Sequence, residues 1–426
     1  MQRLNVFQQL VRQWDRLHPY NAAQILHLAG RADMPRLDRA WQDTLSRLGL
    51  GTLQCAGRHF AYHTLNGNAD EHRLFLLPAD TQLEDHVTEE LNRPFAGESY
   101  LPFRPFVKQE NGSFYLGLIY QHWIADSASI RMLLHELLAR LIDPASVRSS
   151  RLRLPEGGYW RMMGPGKSRW PLLDGFLASV RWSSRFKRVR RIETDDFSDF
   201  RVRFSLHRSP PGTIQTARAS ARDMGCTVND LFLASIARAC NQHVPVQQNR
   251  KRQDLALGTI VDLRPHTTED LSDVFGLFLG FTSVVCRPHD VQDFGKLVQT
   301  ISDQNTIHKT TGFAQASPIR MLAGLVAGKL LSREGTIEFY RKRVPLAGGI
   351  SNVNLNHTWP AEYHPDPLIE YIRVSPTGPM MPLVFTTTTL GDDFHFGLTV
   401  RESIVPRDKA QAVARAFMER VSIPVG

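Results

Sequence analysis

SFYLGLIYQHWIADSASIRMLLHELLARL, residues Ser113 to Leu141, decides the architecture of this chain. Phe114 to Tyr120 form a near-continuous apolar run of aromatic and branched side chains, the pattern of a strand covered on both faces. Ile130, Leu133, Leu134, Leu137, Leu138 and Leu141 then repeat at helical spacing, and Asp126 or Ser127 stands where an N-cap belongs. The loop QHWIADS, residues 121 to 127, therefore joins the end of a buried strand to the start of a helix.

Outward from this unit the same alternation continues. Leu37, Ala40, Trp41, Leu45 and Leu48 predict an amphipathic helix over 36–48, followed by short strands and a Pro-rich turn region, RPFAGESYLPFRPF. From about 144 to 200 the periodicity weakens and Pro, Gly, Trp and Arg become frequent, which reads as a crossover. TVNDLFLASIARAC then opens with a capping-box pattern, Thr227 with Asp230 three residues on. Strands are predicted at LALGTIV, FTSVVC and GISNVNL, and PLVFTTTTL with FHFGLTV should close into a hairpin over Gly391-Asp392-Asp393. A final helix is predicted at DKAQAVARAFMERV. The order predicts an α/β (α+β) protein of two lobes: 1–165, a crossover over 166–205 carrying a basic cluster, and 206–426.

Composition narrows the function classes. The chain has 426 residues with 42% hydrophobic side chains, enough for a large core, which excludes a disordered or fibrous protein. Fifty-one Lys and Arg against forty-two Asp and Glu leave +9, a preference for anionic partners. Cys55, Cys226, Cys240 and Cys286 stand far apart without a CxxC pair, so reduced thiols are expected. Arg12, Asp15 and Arg16 interrupt any signal-like run, and MLAGLVAGKLL is too short to span a bilayer and contains Lys329. A soluble cytoplasmic protein is expected. No HExxH or clustered His and Cys spacing calls for a metal, GPGKS at 164–168 lacks the first glycine of a phosphate loop, and GISNV is not a nucleophile elbow.

His122 with Asp126 is the sharpest chemical candidate. An imidazole takes a proton from a hydroxyl or amine near neutral pH, and a strand end holds it in a fixed orientation. Asp126, four residues on, could lock the loop through an arginine or backbone N–H groups. The same spacing also arises from a partly buried His beside an N-capping Asp.

QHWIADS resembles the HHxxxDG motif of the acyltransferase superfamily that includes chloramphenicol acetyltransferase, the plant BAHD enzymes, nonribosomal peptide condensation domains, wax ester synthases and mycobacterial polyketide-associated acyltransferases. HPYNAAQILHLAGRADMPRLDRAWQDTL, TVNDLFLASIARA, GTIVDLRP and GISNVNL resemble further segments of that superfamily in order. The resemblance implies two chloramphenicol acetyltransferase-like lobes, each a mixed sheet flanked by helices, V-shaped with a tunnel between them. It implies that His122 is the general base and that Asp126 is structural, with Arg264 its expected partner. Gln121 and Ser127, standing where the motif has His and Gly, are read as loop support. Trp123, Ser351 and Asn352 are candidates for the tunnel wall; strand-end hydrogen bonding after Gly348 and Gly349 is the other reading of Ser351 and Asn352. The plant DFGWG segment is absent.

The implied function is acyl transfer from coenzyme A or an acyl carrier protein to a hydroxyl or amine, in lipid or natural-product biosynthesis, by a stand-alone enzyme with no bound cofactor. The alternative is a condensation-like fold that has lost acyl transfer and binds a carrier or partner protein. Arg181, Arg185, Lys187, Arg188, Arg190 and Arg191, with Trp182 and Phe186 between them, form a basic cluster without an acid. It is read either as a docking surface for the donor's phosphates or an acidic carrier, or as a solvated arm balanced by ETDDFSD. Nucleic acid is not expected, since no zinc-finger or RNP-like motif accompanies the charge, and membrane contact is expected only for a lipid substrate.

Overall fold

The computed structural model describes residues 1–64, 73–97, 99–142, 147, 151–155, 177, 180–194, 196–247, 249–359, 364 and 366–424. They form two compact units, one of Met1–Gly166, Arg264–Leu279 and Asn356–Arg373, the other of Lys167–Leu263, Gly280–Leu355 and Val374–Gly426. The units are therefore not the continuous stretches 1–165 and 206–426 that the sequence suggests: two later segments return to the first unit, and a boundary at 205 cuts through strand Val202–Arg208. GPGKS lies outside the described residues.

The first unit is built on a five-stranded sheet in the order Leu368–Val374, Asn21–Ala29, Ser113–Gln121, Phe103–Gln109, Phe75–Leu76. Ser113–Gln121 occupies its centre, antiparallel to Asn21–Ala29 (Asn21 opposite Gln121) and to Phe103–Gln109 (Phe103 opposite Tyr120). That position explains its unbroken apolar run, because both faces are covered. Gly117 in this strand is a packing requirement: a Cβ there would lie 2.0 Å from Phe106 Cζ. Helices Met34–Leu48 and Ser127–Ile142 pack together beside the sheet. Leu37, Trp41, Leu45 and Leu48 on the first, and Ile130, Leu133, Leu134 and Leu137 on the second, are nearly inaccessible, each worth roughly 1.5–3 kcal/mol on burial. Asp33 caps the first helix by accepting from the Arg36 N–H.

The second unit carries a six-stranded mixed sheet in the order Leu279–Cys286, Leu255–Asp262, Gly348–Asn354, Leu383–Leu390, Asp393–Arg401, Val202–Arg208. Leu255–Asp262, Gly348–Asn354 and Leu383–Leu390 run parallel. Leu390 pairs directly with Asp393, so the hairpin turns over two residues, Gly391 and Asp392, with Gly391 at φ +59° supplying the left-handed conformation. Helix Val228–His243 starts in the expected capping box, Thr227 and Asp230 satisfying each other's backbone N–H groups. Helix Arg407–Ser422 packs against it, and Phe232, Phe385, Phe396 and Phe417 form an aromatic centre for this unit.

Candidate active site

The loop after the central strand is fixed from several directions. The His122 N–H donates to the Tyr20 carbonyl (3.0 Å), Ile124 N–H to the Gln121 carbonyl (3.1 Å), and Asp126 N–H to the Gly276 carbonyl (3.0 Å). His122 Nδ1 lies 2.9 Å from the Ala125 carbonyl oxygen. A carbonyl can only accept, so Nδ1 carries the proton and Nε2 keeps its lone pair. The imidazole stacks on Tyr20 (5.7 Å between centroids, 6° between planes) and meets Tyr120 edge-on at 5.6 Å. Burial of the surroundings is the main influence on this group and lowers its pKa; the Ala125 contact and the Asp126 charge oppose that shift, and Arg373 adds to it.

Asp126 is completely buried. Its Oδ1 accepts from the Ser129 N–H (3.0 Å) and Arg264 Nη2 (3.0 Å), and its Oδ2 from Arg264 Nη1 (2.7 Å) and the Phe278 N–H (2.8 Å). Burial alone would raise this carboxyl, but the guanidinium and the two backbone donors prevail and hold it below the usual carboxylate range. Both oxygens are fully used by the protein, so the group's chemistry is architectural: it caps helix Ser127–Ile142 and ties in segment 264–278. Ser129 Oγ tightens the tie, donating to the Gly276 carbonyl (2.8 Å) and accepting from the Gly276 N–H (3.0 Å) and Arg264 Nη2 (2.8 Å).

No family model matches the sequence and no curated protein matches it, so the likeness to known proteins is structural. Three solved structures superpose over nearly the whole chain. The first condensation domain of the CDA synthetase has 14% identity, covers 100% of this chain and 97% of its own, and gives a TM-score of 0.68. Polyketide synthase associated protein 5 from Mycobacterium tuberculosis has 14% identity, with 99% and 98% covered and a TM-score of 0.62. The X-domain in its complex with OxyB from teicoplanin biosynthesis has 17% identity, with 99% and 93% covered and a TM-score of 0.63.

The chain has the condensation-domain fold.

Within this condensation fold the two motif departures have defined surroundings. Gln121 is buried; its Nε2 donates to Asp15 Oδ2 (2.7 Å) and its Oε1 accepts from the Tyr100 hydroxyl (2.6 Å). Ser127 is the first residue of its helix, where ordinary helical backbone suits a serine, and its Oγ accepts from Arg373 Nε (2.9 Å) and Gln24 Nε2 (3.1 Å). Gln24 in turn accepts from the Tyr371 hydroxyl. A serine at this place thus anchors a buried arginine, a role glycine could not fill. Trp123 is nearly inaccessible, packed edge-on against Phe60 with Arg12 over its ring, and borders a cavity of about 420 Å³ shared with Arg12, Asp15, Tyr100 and Gln121.

Other candidates of the condensation fold stand in the second unit. Ser351 and Asn352 lie in strand Gly348–Asn354, where Asn352 Oδ1 accepts from Thr387 Oγ1 on the adjacent strand (2.8 Å). Among the basic cluster, Arg181, Arg185, Lys187 and Arg188 are exposed, whereas Arg190 and Arg191 are half-buried. Trp182 does not interleave at the surface; its indole donates to Ser283 Oγ (2.8 Å) and it is buried against His308 and Phe313. Arg185 lies over its ring at 4.4 Å.

Tyr20, Gln24, Ser129, Gly276, Phe278 and Arg373 complete the surroundings of the loop and were not singled out by sequence. Tyr20 carries a faint signal, since it precedes the strand paired with the motif strand. Gly276 and Phe278 sit in a loop without periodicity, and only the folded chain brings their backbone to Asp126.

Proposed function

We propose that this condensation-fold chain is an acyltransferase that moves an acyl group from a thioester of coenzyme A or an acyl carrier protein to a hydroxyl or amine, with His122 as general base. The observation that carries this reading is the Nδ1 contact to the Ala125 carbonyl, which leaves Nε2 as a rigidly oriented proton acceptor. Nε2 takes the acceptor's proton as its oxygen or nitrogen bonds to the thioester carbonyl carbon. The C–S bond then breaks, and the departing thiolate recovers the proton from the imidazolium. Asp126, Arg264, Ser127 and Gln121 hold the loop and touch no reacting atom in this scheme. Ester or amide formation in lipid or natural-product biosynthesis is the setting of this reading, and one structural neighbour, the X-domain, comes from teicoplanin biosynthesis. A cytoplasmic location belongs to the same reading; among the described residues no helix is long and apolar enough to cross a membrane.

The test is intact-mass and thiol-release screening of the purified protein against acyl-CoA and acyl-carrier donors. Donor-dependent thiol release that vanishes in His122→Ala supports the reading, and release that persists in that variant refutes it.

A second reading, a binding module for a carrier or partner protein, is favoured by one observation: a structural neighbour, the X-domain, was solved in complex with OxyB. Stable capture of a carrier protein without thiol release from any donor supports this second reading over the first.

A further inference from the structure

Five arginines from three separate segments of the second unit converge on one concave surface. Val189 is buried, and of its neighbours on either side Arg188 is exposed and Arg190 half-buried. The parallel bridge of Val189 to Asp254 sets them beside the start of strand Leu255–Asp262, where Arg250 and Arg252 form a tight turn with Asn249. Arg287 follows the adjacent strand Leu279–Cys286. Two depressions result, of about 400 Å³ with Arg188, Arg287 and His289, and about 370 Å³ with Arg190, Arg250 and Arg252, sharing Gln253 and Pro288.

Among the described residues the charges here are not balanced from within. Arg190 donates to the Asn241 side-chain oxygen (2.5 Å) and Arg252 to the carbonyls of Phe186 and Val189 (3.3 and 3.1 Å), all neutral acceptors. One buried carboxylate, Asp254, faces Arg188, Arg287 and Arg190, and its nearest contact, to Arg188 Nε, is 3.4 Å. Asp290 is engaged by His289 (3.1 Å) and Lys296 (3.7 Å). Arg252 is pushed below its ordinary pKa by burial and by the like charge of Arg191. Among the described residues, the Nε atoms of Arg190 and Arg191 are buried with no hydrogen-bond partner.

We propose that this surface binds a diphosphate-bearing ligand along the edge that the two depressions share at Gln253 and Pro288. Guanidinium forks match phosphate oxygens two at a time, and an anion placed here relieves the repulsion among the arginines. Paired concave depressions fit a small polyanion better than the face of an acidic helix. The site stands at the Leu255 end of strand Leu255–Asp262. Only the ligand's identity rests on the acyl-transfer reading: under it the diphosphate is the donor's own, and the binding itself needs no acyl chemistry.

The experiment is calorimetric titration of the full chain with inorganic pyrophosphate at low salt. Saturable one-to-one binding is expected, weakened about tenfold or more by either Arg250→Glu or Arg287→Glu, both exposed positions, and weakened further by added salt. Arg39→Glu, an exposed arginine of the first unit, should leave it unchanged, and unaltered thermal melts keep folding out of the comparison. Absence of saturable binding at millimolar pyrophosphate, or equal weakening by Arg39→Glu, overturns the proposal. Displacement by adenosine 3′-phosphate 5′-diphosphate identifies a coenzyme A-type source, and displacement by ATP alone a free nucleotide; either upholds the site. His122→Ala should bind pyrophosphate like the parent chain, so loss of the phosphate site and loss of acyl transfer are told apart.

Discussion

Arg264 closes on Asp126 with two parallel hydrogen bonds, 2.7 and 3.0 Å long, in a place where the carboxylate has no access to solvent. A pair this deeply desolvated is costly to make and more costly to break, because either partner alone is a buried, uncompensated charge.

Asp126→Ala and Arg264→Ala should each lower unfolding free energy by about 3–5 kcal/mol, while replacing both together costs less than the sum of the two. Denaturant melts of the three variants check this; additive losses would sink the coupling.

The pH dependence of the pair has a definite sign. Asp126 is depressed in the folded protein, so its contribution is present above the carboxyl's unfolded pKa and is lost as pH falls through the lower folded value. The stability gap between the parent chain and Asp126→Asn should therefore be widest near neutrality and narrow below about pH 4. A gap that widens in acid contradicts the assignment.

His122→Ala should cut acyl transfer by about a hundredfold or more, the usual contribution of a positioned general base, with an unchanged circular dichroism spectrum. His122 is shifted down, so the neutral base persists into mild acid and the acidic limb of kcat/KM should fall below about pH 6.5. Arg373→Met removes one of the influences that lower His122 and should move that limb upward. An acid limb that stays fixed in Arg373→Met separates the arginine from the histidine's titration.

Gln121→Ala should act on stability more than on rate. It takes one donor from Asp15, a group already raised by burial and stabilised by Tyr20 and Gln121, and an acceptor from Tyr100, a loss of about 1–3 kcal/mol. Ser127→Gly should cost about as much, by depriving Arg373 and Gln24 of their shared acceptor. A faster enzyme in either variant would count against the supporting role of these side chains.

What was legible in the sequence follows from locality. The strand and helix of Ser113 to Leu141 announce themselves through side-chain period, the Thr227–Asp230 capping box through a three-residue spacing, and the Leu383–Arg401 hairpin through alternating runs around a turn. Each is decided by interactions within one or two turns of chain. Arg264 was reachable from the resemblance of GTIVDLRP, whereas Phe278 and Gly276 act through backbone atoms, which leave no mark on residue type. The basic cluster shows the same limit in another form. Read linearly it is six cations from 181 to 191, but folding buries Trp182, half-buries Arg190 and Arg191, and recruits Arg250, Arg252 and Arg287 from elsewhere.

The return of Leu368–Val374 to the sheet of the first unit bears on how the protein is made. Strand Asn21–Ala29 has no neighbour on that side until residue 374 has left the ribosome, and Asp126 has no counter-ion until residue 264 has. Some two hundred residues separate Gly166 from Arg373, on the order of 10–40 s of synthesis at ordinary elongation rates. Through that interval the nascent chain presents an open strand edge, and until Arg264 emerges a half-made ion pair as well. Translation speed and chaperone supply over the second half of the message should therefore govern the yield of the first.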